Sequence, residues 1–328
     1  MLAWASNSDS VVADRLVTSL ARGQEDDIGL VQPFDFHLPT IKALRRCFSL
    51  SAHDICIATY PKCGTTWMQQ LVLLLLRGSD TNEFAPMRDA PWLEMSTSSA
   101  ANGERSSSPP IALDALCKLP PPDPSIDCGR RVWKTHAPEP HAPWCGGALA
   151  AAAAGAKIIV VCRNSKDCAI SLLHHTTNIP PFAFVGGWDD FCPMFLEGRV
   201  ESSDFWAWHT GWYRAARAQP AAILWVAFEE MIADLPRVAA DVAAHLGLER
   251  SPAELAAVAE RCGFAAMKAE AARRDAAAAA KGAHVKKGHL RQGRVGGWQE
   301  AMPPEHARMF DAKDEALAAQ CGLRMRDV

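Results

Sequence analysis

The sequence predicts an α/β fold: a single domain with a central, mostly parallel β-sheet flanked by helices. Two observations carry this. Four apolar runs of strand length, 54–60, 131–134, 157–163 and 222–228, alternate with helical stretches, and each run ends in turn residues before the next helix begins. In such a sheet the loops that follow the strands form the ligand crevice, so residues just after each run are the first candidates for function.

The first run, 54–60, passes through a turn into an apolar helix expected over 65–77. Its longest apolar stretch, 71–76, is closed by Arg77 and falls far short of the roughly 20 residues of a membrane span, so it belongs to a buried helix. The Ser- and Pro-rich segment 96–124 is expected to be an insertion or mobile loop. The alanine run 148–154, stopped by Gly155, is a short helix before the third strand, and a further helix is expected over 167–176. Segment 270–290, with its alanine run and clustered Arg and Lys, is taken as a second mobile loop and, like 96–124, as a candidate lid. Residues 1–35 stand apart as an N-terminal extension to a domain spanning 36–328.

A chain of 328 residues, 49% hydrophobic and 22% charged, has globular composition and supplies a large core. Its formal net charge of −3 provides no field for nucleic acid or an anionic membrane, so neither is expected as a partner, and any anion site is local. Eleven cysteines without a CxxC pair or zinc-type spacing argue against a disulfide framework and a metal site. With no apolar leader, and with Asp9 and Asp14 near the start, a cytoplasmic location is expected.

The first run opens into Tyr60-Pro61-Lys62-Cys63-Gly64-Thr65-Thr66-Trp67. One lysine, one glycine and two hydroxyls at a helix N-terminus make an anion cradle, with close backbone approach at Gly64 and a point charge from Lys62. Taken alone, the same residues also suit a Thr-capped helix. The order is not that of a Walker motif, because Lys62 precedes the glycine and no Mg²⁺-binding Lys-Ser/Thr pair follows it. Three further segments carry the same theme: Arg131-Val132-Trp133-Lys134-Thr135-His136, then the stretch from Arg163 to Ser171, then Arg291-Gln292-Gly293-Arg294-Val295-Gly296-Gly297-Trp298. A histidine placed just after a strand suits general base catalysis. A turn there is expected to bring Lys134 and His136 into one site. Arg163 and Ser171, eight residues apart, suit a dianionic phosphate at one crevice mouth.

In these four segments the chain resembles the cytosolic-type sulfotransferases that use 3′-phosphoadenosine 5′-phosphosulfate (PAPS). The first segment is similar to the family's 5′-phosphosulfate loop YPKSGTTW, a P-loop-like element, with Cys63 in place of serine. The resemblance implies that Lys62, Cys63, Gly64, Thr65, Thr66 and Trp67 bind the donor, with the Cys63 N–H rather than its side chain facing the phosphate. It implies His136 as the general base, with Lys62 and Lys134 stabilising the leaving group. The 3′-phosphate falls to Arg163, Ser171, Arg291, Gln292 and Gly293, and the adenine to Trp67, Phe228, Cys262 and Phe264. Cys262 stands where threonine or serine is usual; Phe228 stands where tyrosine is usual and Gln292 where lysine is, and for these two donor affinity is expected to be weaker. PAPS is then the co-substrate, its product 3′-phosphoadenosine 5′-phosphate (PAP), and no metal is required.

After Trp298 the family's dimerisation motif is replaced at Pro303, Pro304 and Arg308, which leaves the oligomeric state open. The acceptor is expected to be a small molecule with a hydroxyl or amine. Phe84, Trp92, Phe182, Phe184 and Trp188 suit an apolar one, and Asp89, Glu94, Asp189 and Asp190 leave room for a cationic one. Two other readings stay open at this point: a P-loop kinase-like NTP-dependent transferase, and a non-catalytic adenine-nucleotide-binding protein.

Overall fold

Each apolar run alternates between two buried faces, and that alternation builds the sheet. In the computed structural model, which describes residues 38–81, 85–95, 113–178, 184–280 and 293–325, the strands are β1 (Asp54–Thr59), β2 (Arg131–Thr135), β3 (Lys157–Cys162) and β4 (Ile223–Ala227). They pair in parallel in the order β2-β1-β3-β4. Cys56, Ala58, Trp133, Ile158 and Val160 face one hydrophobic cluster. Their neighbours Ile55, Ile57, Val132, Ile159 and Val161 face the other, the period-two alternation of a sheet buried on both sides. β1 lies inside, buried along its whole length. Asp54 staples it to β2 by accepting from Arg131 Nε and Trp133 Nε1, both at 2.8 Å.

The helices are α1 (Leu38–Cys47), α2 (Thr65–Arg77), α3 (Pro86–Asp89), α4 (Leu113–Cys117), α5 (Gly147–Ala153), α6 (Ser165–Asn178), α7 (Trp188–Leu196), α8 (Phe205–Ala218), α9 (Phe228–Ala233), α10 (Leu235–Leu246), α11 (Pro252–Arg261), α12 (Phe264–Ala280) and α13 (Pro304–Cys321). α8 and α13 pack on the first face; α2, α10 and α11 cover the second. The stretch 71–76 is buried in α2, as expected. Among the described residues no helix is long and apolar enough to cross a membrane.

Two expectations are corrected. Residues 270–280 are not a loop but the second half of α12, because alanine has the highest helix propensity and Glu270 pairs with Arg273 one turn on. Residues 281–290, the rest of that segment, lie outside the described residues, as do the N-terminal extension and 96–112. The cysteines are also not all thiols. Cys47 of α1 and Cys117 of α4 form a disulfide across 70 residues, with Cα atoms 5.9 Å apart. Only the tertiary fold brings that pair together, and the nine other cysteines are free.

One core group makes stability depend on pH. His209 of α8 is fully buried, its Nδ1–H donating to the Phe205 carbonyl at 2.7 Å, and burial pushes its pKa from 6.5 down to about 3. The unfolded chain then binds a proton that the fold excludes, so this contribution is complete above pH 6.5 and is lost as pH falls toward 3. At pH 5 the loss is about 2 kcal/mol. Thermal unfolding of wild type and His209→Asn at pH 7.5 and 5.0 is expected to show a smaller acid-induced drop in the variant. Equal drops would remove His209 as the cause.

Candidate functional site

The site forms where β2, β1 and β3 end side by side. β1 stops at Thr59, and the chain turns through Tyr60–Gly64 into α2. Lys62 takes φ 71° and Gly64 φ 104°; a Cβ at Gly64 would lie 2.9 Å from the Phe228 ring, so space and backbone both require glycine. Gly64 is the N-cap of α2 and brings no capping side chain, which leaves the positive helix end to an outside anion. The Thr-capped alternative fails here, because Thr65 Oγ1 bonds Thr59 Oγ1 at 2.6 Å. Cys63 is turned into the core, 3.7 Å from Cys168 Sγ. Its N–H, expected to face the phosphate, closes the turn on Tyr60 O at 3.2 Å. The turn's partly exposed residues are Lys62, Gly64 and Thr66, with Thr65 at the helix start.

His136 follows β2 directly and is buried. Its Nδ1 lies 2.7 Å from the Thr59 carbonyl. A carbonyl only accepts, so Nδ1 carries the proton and Nε2 is the basic nitrogen of the neutral ring. The Trp92 ring meets the imidazole edge to face at 4.6 Å, and Lys134 Nζ lies 4.3 Å from the centroid of the same indole. Lys134 and His136 therefore share a site without the expected turn, since positions two apart on a strand point to one face. Below them Glu94 is buried. Its Oε1 accepts from Thr135 Oγ1 at 2.6 Å and from the His136 N–H at 3.3 Å, and burial raises its pKa.

β3 ends at Cys162, and Arg163 leads into α6. The Arg163 guanidinium donates from Nη1 to the Lys62 carbonyl at 3.0 Å and stacks over Phe228 at 4.4 Å, while its buried Nε has no hydrogen-bond partner among the described residues. Asn164 caps α6 by accepting from the Lys166 and Asp167 N–H groups. Ser165 donates to Asp314 at 2.7 Å. Ser171 lies further along α6 and is partly exposed. Trp67 and Phe228 meet at 5.4 Å as an aromatic corner beside the loop. Gly293 sits on the Phe264 ring so closely that a Cβ would come within 2.2 Å.

The structure thus gathers Lys62, Gly64, Thr65, Trp67, Arg163 and Phe228 around one loop, with Lys134 and His136 beside it. Cys262 is fully buried among the packing residues of α11, so its side chain is core rather than site. Arg291 and Gln292 lie outside the described residues, as do Phe84 and Phe182. Among the described acceptor aromatics, Trp92 touches His136. Phe184 packs on Phe191, and Trp188 stacks on Phe310. The acidic candidates Asp89, Glu94 and Asp190 bond Arg77, Thr135 and the Gly187 N–H, respectively. The residues missed beside the site are Thr59 and Asp167: a threonine at a strand end and an aspartate in a first helical turn carry no signal of their own.

The chain is similar to known proteins. Residues 52–322 match the family described as the sulfotransferase domain. Curated relatives include sulfotransferase 1A1 of Bos taurus, 24% identical over 83% of this chain and 86% of its own, and sulfotransferase 2B1 of Rattus norvegicus, 27% identical over 79% and 68%. Among solved structures, retinol dehydratase in complex with androsterone and inactive cofactor PAP superposes with a TM-score of 0.74, at 19% identity and 96% coverage of both chains. Mouse sulfotransferase SULT7A1 complexed with PAP superposes at 0.65, with 21% identity over 90% of this chain and 94% of that one. This chain, an enzyme by its family, belongs to the sulfotransferases.

Proposed function

We propose that the enzyme moves a sulfuryl group from PAPS to a hydroxyl or amine of a small molecule, with His136 as general base. The carrying observation is the Nδ1–H bond from His136 to the Thr59 carbonyl, which fixes the tautomer that keeps Nε2 available for the acceptor's proton. The residues present fit the donor. Arg163 Nε is a buried nitrogen without a partner among the described residues, and the start of α2, whose N-cap glycine brings no side chain, lies beside it, a pairing suited to a polyanion. Lys62 and the start of α2 would hold the 5′-phosphate; Arg163, Ser171 and the segment at Gly293 would hold the 3′-phosphate; Trp67, Phe228 and Phe264 would bound the adenine. When bound, PAPS supplies an activated sulfuryl group on a phosphate leaving group.

The protein's part is positioning and charge. Lys62 and Lys134 offset negative charge as it grows on the leaving oxygen. His136 takes the acceptor's proton, and the Thr59–Thr65 bond holds base and loop in register. Trp92, against the base, favours an apolar or aromatic acceptor. Nucleic acid and membrane are not partners in this reading, and the place of action is the cytoplasm.

Calorimetry with PAP, ADP and ATP, with and without Mg²⁺, tests the donor. The wild type is expected to prefer PAP irrespective of metal, and Arg163→Ala to weaken PAP by roughly 30-fold or more. Mg²⁺-dependent ATP binding with no preference for the 3′-phosphate would overturn the donor assignment.

A further inference from the structure

We propose that Asp167 is a positioning residue for the donor: its carboxylate pins the segment from Gly293 to Trp298 to the first turn of α6 and so sets selectivity for a nucleotide with a 3′-phosphate. The inference rests on the donor assignment above. Asp167 is 4% exposed. Its Oδ2 accepts from the Gly296 N–H at 2.8 Å and its Oδ1 from the Trp298 N–H at 2.9 Å. Both oxygens are thus committed to one segment, at the N-terminus of the 3₁₀ turn Gly297–Glu300, where a carboxylate is favoured by the local dipole and by charge-assisted hydrogen bonds. The neighbouring Lys166 grips the same point. Its Nζ lies 4.4 Å from the Trp298 ring centroid and pairs with Asp311 of α13.

What the clamp holds adjoins the donor residues. Going back along the chain from Gly296, the Arg294 carbonyl accepts from Arg163 Nη2 at 3.5 Å, and Gly293 lies on Phe264. Asp167 is four residues after Arg163, so the capped start of α6 connects the guanidinium to the anchor of the opposing segment. A site ordered in advance spares its ligand the cost of ordering it. Without the carboxylate that cost returns, and only the part of the ligand that reaches this segment bears it.

The test is calorimetric titration of PAP and 5′-AMP into wild type and Asp167→Asn, which preserves shape and removes charge. PAP affinity is expected to fall about tenfold or more while 5′-AMP affinity stays within about twofold. Equal losses for both nucleotides, as from a merely structural defect, or no loss for either, would overturn the proposal. A wild type that does not prefer PAP over 5′-AMP would instead overturn the donor assignment, and the proposal with it. Should Asp167→Asn not fold, hydrogen exchange of the wild type decides. PAP is expected to slow exchange at residues 293–300 more than 5′-AMP does, and equal protection refutes the clamp.

Discussion

His136→Ala is expected to lower sulfuryl transfer by about 10²–10⁴-fold, the usual range for a general base. PAP affinity should remain close to that of the wild type, because the imidazole bonds Thr59 and touches Trp92 rather than the phosphate loop. Transfer of labelled sulfur from PAPS to a panel of phenols and alcohols, with PAP binding measured on the same preparations, separates the two effects. A variant that retains most of its rate would remove His136 as the base. Parallel loss of rate and of PAP binding would point to a collapsed site instead.

Lys62→Ala is expected to cost about 10²–10³-fold in transfer, the scale of losing one preorganised charge at a leaving group. Unlike His136→Ala, it should also weaken PAP, since Lys62 belongs to the loop that would meet the 5′-phosphate. Lys62→Arg, which keeps the charge, should recover part of both. If Lys62→Ala bound PAP like the wild type and transferred at a normal rate, the start of α2 alone would have to carry the phosphate.

The sheet could be drawn from the chain to within a residue or so at each end, because strands buried on both faces leave unbroken apolar runs. The turn after β1 was equally plain, because Gly64 takes a left-handed φ of 104° that residues with a Cβ adopt only at a cost. What connects these parts was hidden. The Thr59–His136 and Asp167–Gly296 bonds span 77 and 129 residues, and such contacts are set by packing rather than by local pattern. The complete burial of Cys262 just after α11 was hidden for a related reason, because it is set by packing and not by the position along the chain. The alanine run after Glu270 was mistaken for a loop because its charges outweighed its helix propensity.

The order of strands in the sheet has a consequence for the whole reaction. In the proposed reading β2 leads to the base, β1 to the phosphosulfate loop and β3 to the arginine for the 3′-phosphate, while β4 ends at Ala227, one residue before Phe228. Along the sheet edge that sequence matches the connectivity of acceptor, sulfuryl group, ribose and adenine. Hydrogen-bonded strands are spaced about 4.8 Å apart, so the four ends form a ruler roughly 14 Å long, graduated by the backbone itself. Acceptor loops are free to diverge around such a ruler without rescaling it, and one chemistry can then serve many acceptors.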